Sequence, residues 1–152
     1  MKQNKFSSAA IALLLIAFFT TSWMSPTRAH HRTPVTISVP FDLIGGTYPN
    51  LLFTGTFTAS GTFQPSGDAT MDAAFNADGK RIHCIWTLTD ENGSITLHEQ
   101  CQLATSPWKG RWEIVSGTGA YANLRGNGLS LMPATYGGVA SPFWEVLTGF
   151  TY

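Results

Sequence analysis

The sequence has few cysteines, few charges and no clusters of basic residues. Only two of its 152 residues are cysteine and only 12% are charged. Two thiols with no zinc-type spacing are too few to hold a metal ion by themselves, so we expect no metal and no cofactor. Because phosphate neutralisation needs clustered lysine and arginine, the scattered basic residues argue against nucleic acid as a partner.

The sequence also has no apolar run as long as a membrane-spanning helix, and its longest apolar run lies near the N-terminus. The first 29 residues have the three parts of a cleavable signal peptide: two lysines, an apolar run of 11 residues (Ala9–Phe19) and a polar stretch that ends in Thr27-Arg28-Ala29. Small residues at Thr27 and Ala29 predict cleavage after Ala29. The run is shorter than the roughly 20 residues of a membrane-spanning helix, so an uncleaved anchor is the weaker alternative. We expect a secreted or periplasmic protein of bacterial type, with no membrane span after cleavage.

The part that remains after cleavage has a mildly acidic charge and the size of one domain. It holds six basic and nine acidic residues, a net charge of −3 with histidine neutral. We divide it into an N-terminal segment with the first strand, residues 30–50, and the remainder of the same domain, residues 51–152. The sequence carries no signal of an oligomeric state.

No segment after residue 29 has helical periodicity, and the pattern there predicts short β-strands. β-Branched and aromatic residues alternate with polar ones between glycine, proline and asparagine breakers. The predicted strands cover residues 35–43, 52–60, 68–76, 81–90, 94–103, 111–116, 128–135 and 143–151. Eight consecutive strands with tight turns predict an antiparallel meander that closes into a small barrel, because closure removes the exposed edges. A β-sandwich is the alternative.

Asn92-Gly93 is the strongest turn signal in the chain, because both central positions of such a turn favour positive φ. A two-residue turn centred there places Cys84 opposite Cys101. At that non-hydrogen-bonded pair the α-carbons approach to about 4.5 Å, which a disulfide can span. An even cysteine count in an exported chain favours the same pairing. We therefore predict a Cys84–Cys101 disulfide.

The same register divides this hairpin into an apolar inner face and a polar outer face. One carboxylate, Glu99, lies on the inner face, opposite Trp86. A carboxyl group in an apolar environment can act as a general acid or base near neutral pH, so Glu99 is the candidate catalytic residue. Trp86, Glu99, Trp112 and Trp144 are the candidate ligand-binding residues. The alternative is that Glu99 is solvated or paired with an arginine, and that the tryptophans only form the core.

Residues 112–128, with the sequence WEIVSGTGAYANLRGNG, place Gly-Thr-Gly-Ala-Tyr and Leu-Arg-Gly between two predicted strands. This pattern resembles the turn of the allene oxide cyclase-like and dirigent-like β-barrels, especially their small exported bacterial members. Residues 53–61 and 90–103 are similar in placement to the early strand and central hairpin of that superfamily. The resemblance implies an eight-stranded antiparallel barrel with an apolar lumen, and it carries over no catalytic residue.

The turn motif itself is interpreted as structural. Its glycines permit a tight turn, and Tyr121 and Leu124 are expected to cover one end of the barrel. The motif comprises Gly117, Gly119, Tyr121, Leu124, Arg125 and Gly126.

Three functions remain open from the sequence. The preferred prediction is a non-enzymatic barrel that binds a small apolar ligand or a partner. The first alternative, which the resemblance implies, is a cyclase or isomerase that acts on a lipid-like substrate in the lumen. The second alternative is a purely structural exported module.

Overall fold

The chain forms a closed barrel of eight antiparallel strands, in a computed structural model that describes residues 31–61, 64–104, 107–132 and 143–152. The strands are β1 (Thr33–Thr47), β2 (Asn50–Gly61), β3 (Ser66–Phe75), β4 (Arg81–Asp90), β5 (Gly93–Gln102), β6 (Trp108–Gly117), β7 (Gly126–Met132) and β8 (Phe143–Thr151), with a single-turn 3-10 helix at Gly119–Tyr121. The predicted all-β meander barrel is confirmed, and the sandwich alternative is wrong. The predicted signal peptide and the end of the seventh predicted strand lie outside the described residues.

Each strand pairs with its neighbours in chain order, and the barrel closes between β1 and β8. Among the strands that the structure describes, this closure leaves none with an unpaired edge, the outcome expected for a meander of this length. The alternation of buried and exposed residues follows the predicted strands, most clearly along β4. In the part of the chain that the structure describes, no helix is long and apolar enough to cross a membrane.

The hairpin between β4 and β5 turns one residue earlier than predicted. Its central residues are Glu91 and Asn92, because Asp90 pairs with Gly93. The Asp90 carboxylate accepts hydrogen bonds from the backbone N–H groups of Asn92, at 2.8 Å, and of Gly93, at 3.1 Å. Aspartate at the first position of a turn commonly stabilises it in this way. Gly93 still needs its glycine, since its φ is +148°.

The earlier turn changes every cross-strand pair of the hairpin. Cys84 lies opposite Glu99 and Cys101 lies opposite Ile82. The two cysteines are diagonal neighbours, for which the α-carbon separation is about 7–8 Å, beyond the usual reach of a disulfide. Both cysteines are free and buried, so the predicted disulfide is wrong. The predicted inner face is retained, because a shift of two residues in partner number preserves side-chain parity.

Large side chains fill much of the barrel interior. The Phe41 ring lies 5.5 Å from Phe53, 5.3 Å from Trp86 and 5.5 Å from Phe143, measured between ring centroids. We call these four residues the aromatic cluster. Eight strands give an interior just wide enough for side chains or for one small ligand. Any ligand inside this barrel therefore has to be small.

The Gly-Thr-Gly motif connects β6 to β7 across the β4–β5 turn. Tyr121 is buried, and its hydroxyl donates a hydrogen bond to Asp90 Oδ2 at 2.5 Å. Gly119 has a φ of +56°, which favours glycine. Leu124 packs against the core, and the exposed Arg125 guanidinium donates to the Leu124 carbonyl at 2.8 Å. The motif thus holds its connection to the hairpin turn through Tyr121.

Candidate interior binding site

Four polar side chains from three strands meet inside the barrel. Glu99 and Cys101 come from β5, Ser130 from β7 and Glu145 from β8, and we call them the polar cluster. Glu99, Ser130 and Glu145 are each 1% exposed, and Cys101 is 4% exposed. One ligand atom each of Glu99, Cys101 and Glu145 lies within 4.8 Å of the other two. Two carboxyl groups and a thiol therefore share one dry site.

Glu99 is surrounded by hydrogen-bond donors. Trp86 Nε1 donates to its Oε2 at 2.8 Å, and Cys101 Sγ donates to its Oε1 at 2.8 Å. The Ser130 hydroxyl also donates to Oε1. Three donors offset much of the desolvation penalty of a buried carboxylate. The inward position beside Trp86 agrees with the sequence interpretation, whereas the partners of Glu99 are neutral donors instead of an arginine.

Glu145 has the opposite surroundings. Neither of its carboxyl oxygens makes a hydrogen bond of ordinary geometry among the described residues, although the side chains of Glu99 and Ser130 lie close enough to shift its pKa. Burial raises the pKa of the Glu145 carboxyl group well above its usual range, and the nearby charge of Glu99 raises it further. A buried polar group without a partner costs about 1–3 kcal/mol. An additional hydrogen-bond donor or a cation would therefore stabilise this cluster most if it bound at Glu145.

The two cysteines are also held in their protonated form. Burial raises the pKa of the Cys84 thiol well above its usual range, and the negative charge of Glu99 adds to the effect. The same two causes, in the same order, raise the pKa of the Cys101 thiol. Protonation is what allows Cys101 to donate to Glu99.

Gly110 on β6 provides the space for the cluster. It pairs with Cys101 on one side and with Ser130 on the other. A Cβ atom at this position would collide with the Ser130 hydroxyl, and it would lie 2.5 Å from Cys101 Sγ and 2.9 Å from Glu99 Oε1. Glycine is required here by the close approach of these polar atoms.

The three predicted tryptophans divide between the interior and the outer surface. Trp86 and Trp112 are buried, and Trp112 Nε1 donates to the Leu129 carbonyl at 3.2 Å. Trp144 lies on the outer face with 49% of its surface exposed. The structure therefore brings Trp86 and Trp112 to the interior and leaves Trp144, a predicted ligand-binding residue, outside it.

The inner face of β8 includes Gly149, which lies beneath the indole ring of Trp112. A Cβ atom at Gly149 would lie 2.7 Å from Trp112 Cζ2 and closer still to the backbone oxygen of Asn127. Because side chains alternate along a strand, the same parity turns Trp144 outward and Glu145 inward. Glycine at this position thus leaves room for both the indole ring and the neighbouring strand.

Sequence reasoning missed Ser130 and Glu145, although the β8 strand itself was predicted with its observed bounds. The more apolar alternate set of β8, with Trp144 and Phe150, faces outward. A hydrophobic pattern alone therefore favours the wrong face for this strand. Gly149 and Leu147 lie on the same face of β8 as Glu145. Their inward position is the signal that could have identified the second carboxyl group.

Comparison with known proteins identifies no relative. No family model, no curated protein and no solved structure matches this chain significantly. The resemblance to the allene oxide cyclase-like and dirigent-like barrels stays a prediction, and the function has to be argued from the site itself.

Proposed function

We propose that this chain is an exported, non-enzymatic binding barrel whose polar cluster holds the cationic or hydrogen-bond-donating group of a small ligand. The observation that carries the proposal is Glu145, which is fully buried with both carboxyl oxygens unpartnered in the described part of the chain. The neutral donors of the cluster all point to Glu99. Export is supported by the three-part N-terminus.

The charge of the cluster restricts the chemistry of the ligand. Glu99 and Glu145 present two carboxyl groups, and the donors beside them are uncharged. A fatty-acid carboxylate would add negative charge beside these carboxyl groups in a medium of low dielectric constant, where repulsion is strong. An amine of similar size would donate to Glu145 and add a positive charge beside the two carboxyl groups. The apolar part of such a ligand would contact the aromatic cluster, which adjoins the site through Trp86.

Thermal melts with paired ligands test this proposal. Short alkyl amines should raise the melting temperature, whereas carboxylic acids of the same chain length should not. At a concentration of 100 times the Kd, a bound ligand adds about 2.7 kcal/mol to the free energy of unfolding. Glu145→Gln should abolish the amine effect. Glu113→Gln, on the outer face of β6, is the matched control and should keep it.

Two results would contradict the proposal. The first is an acid that stabilises the chain as much as the amine of equal length. The second is an amine effect that persists in Glu145→Gln, which would place the binding elsewhere. If no cation, organic or inorganic, changes the melting temperature, the structural-module alternative is favoured.

A cyclase or isomerase is the second candidate, because two carboxyl groups face one space. With one group protonated and the other ionised, the pair could deliver and remove a proton on the same substrate. Turnover of a lipid-like substrate that is lost in both Glu99→Gln and Glu145→Gln would favour this alternative over simple binding.

A further inference from the structure

The polar cluster combines three donor types that a single cation can bind together. Glu99 and Glu145 offer carboxylate oxygens and Cys101 offers sulfur, all within 4.8 Å of one another. No spacing pattern in the sequence indicates this set, since its members lie on β5 and β8, which are not neighbours in the barrel. The Glu145 oxygens, which make no hydrogen bond of ordinary geometry within the described residues, are the second observation that points to a ligand.

We propose that the ligand of this cluster is a divalent transition-metal ion of the zinc type, bound by Glu99, Cys101 and Glu145. This inference rests on the proposed function and names its ligand class. Zinc accepts cysteine sulfur at about 2.3 Å and carboxylate oxygen at about 2.0–2.2 Å. In a tetrahedral site such bonds place the ligand atoms roughly 3.5 Å apart, a separation inside the 4.8 Å that spans the three ligand atoms here. The hydrogen bond from Cys101 to Glu99 would give way to bonds from both residues to the ion.

The donor set distinguishes this ion from the common hard cations. Calcium takes six to eight oxygen ligands and magnesium keeps an oxygen shell with several waters, whereas a thiolate selects softer ions. The interior also favours an ion over a larger molecule. Trp86, Trp112, Leu97 and Leu147 are among the largest fully buried side chains, and a bare ion needs less space than an alkyl chain.

Charge balance favours occupancy by a divalent ion. Binding uses the thiolate form of Cys101 and the carboxylate forms of both glutamates, so any proton on these groups would leave to solvent. One thiolate, two carboxylates and the ion then sum to a net charge of −1, so the repulsion between the two carboxylates is largely cancelled. Glu145 would gain the partner that it lacks.

The neighbours of the cluster are arranged as supports for such ligands. Trp86 and Ser130 donate to Glu99 and fix its orientation, as outer hydrogen bonds do in known metal sites. Gly110 allows the side chains of Cys101 and Glu99 to lie against its backbone, where any larger residue would displace them. With three protein ligands, a fourth coordination position stays available for water or a small molecule, as in zinc sites that are not closed.

Cobalt(II) titration of the purified, metal-free chain under anaerobic conditions tests the inference, because thiolate–cobalt bonds give a near-ultraviolet charge-transfer band. The band should appear in the wild type and be absent in Cys101→Ser. Cys84→Ser is the matched control: Cys84 is another buried free cysteine, it lies opposite Glu99 but is not one of the three ligands, and the variant should keep the band. Zinc should compete the cobalt signal away and raise the melting temperature.

Two carboxyl variants provide a readout that does not depend on the thiol. Glu145→Gln should weaken zinc binding at least about tenfold, and Glu113→Gln should leave it unchanged. The inference is overturned if no charge-transfer band forms in the wild type. It is also overturned if Cys101→Ser and Glu145→Gln bind the metal as the wild type does, which would assign binding to exposed residues such as His83 and His98. If metals fail but alkyl amines stabilise the chain through Glu145, only the ligand class is wrong and the proposed function remains.

Discussion

Glu99 on β5 and Glu145 on β8 lie in the same dry interior, but their surroundings differ. Glu99 accepts hydrogen bonds from an indole, a thiol and a hydroxyl. Glu145 accepts none from the residues that the structure describes. Satisfied buried polar groups specify and stabilise a core, while unsatisfied ones cost free energy. The hydrogen bonds to Glu99 therefore explain the β5 side of the cluster, whereas Glu145 on β8 keeps carboxyl oxygens that a bound ligand could satisfy.

Substitution of Glu99 and of Glu145 with leucine should give the largest effect, a clear difference in the free energy of unfolding between the two variants. Glu99→Leu leaves three buried donors without their acceptor, so we expect the free energy of unfolding to fall by about 3 kcal/mol. Glu145→Leu removes an unpartnered group of similar volume, so stability should be unchanged or rise by up to about 2 kcal/mol. Urea unfolding of both variants in metal-free buffer measures the difference. Equal losses in the two variants would mean that Glu145 is satisfied in the free protein, and the comparison would fail.

The second prediction concerns Gly110 on β6, which lies between Cys101 of β5 and Ser130 of β7. Gly110→Ala places a methyl group against Cys101 and Ser130, so we expect a loss of about 1–3 kcal/mol from overpacking together with loss of ligand binding. Gly45→Ala is the matched control, because nothing lies within 4 Å of a Cβ atom at that position. Its stability should stay within about 0.5 kcal/mol of the wild type. Retained binding in Gly110→Ala would show that the ligand does not use this space.

The smallest expected effect concerns Asp90, a carboxylate outside the barrel core that serves as a reference for Glu145. Hydrogen bonding from the Tyr121 hydroxyl lowers the pKa of the Asp90 carboxyl group, the opposite direction to Glu145. Burial, followed by the bond to Asp90, raises the pKa of Tyr121 to about 12. Tyr121→Phe removes this pair, and we expect a loss of about 1 kcal/mol near neutral pH.

The pH dependence of that loss follows from the two shifts. The contribution of Asp90, whose folded pKa is lowered, is present above its unfolded value of about 3.9 and is lost as the pH falls below it. The contribution of Tyr121, whose folded pKa is raised, is present below its unfolded value of about 10 and is lost as the pH rises towards 12. The difference between wild type and Tyr121→Phe should therefore narrow at both extremes. Urea unfolding at acidic, neutral and alkaline pH measures it, and a difference that is constant across this range would contradict the assignment.

Much of the fold could be predicted, because strand alternation and turn residues are local properties. β4 and β8 have their predicted bounds, and the barrel closes as the meander required. The hairpin register could not be predicted from Asn92-Gly93 alone, because Asp90 accepts the turn N–H groups and Tyr121 bonds to the same carboxylate. The disulfide prediction failed for that reason. Glu99 kept its inward position because the error in register was even.

Only part of the candidate site could be predicted from the sequence, namely Glu99 and its neighbour Trp86. The amino-acid pattern alone predicts the strand number from the alternation along the chain. It also predicts the inner face of the β4–β5 hairpin and Glu99 beside Trp86, since both depend on neighbours within one hairpin. Tertiary packing turns Glu145 inward, because Leu147 and Gly149 of the same parity pack into the core and against Trp112, although the outward set of β8 is the more apolar. It also decided that Glu99, Cys101 and Glu145 meet, because only the closure of the barrel brings β5 and β8 to opposite sides of one narrow interior.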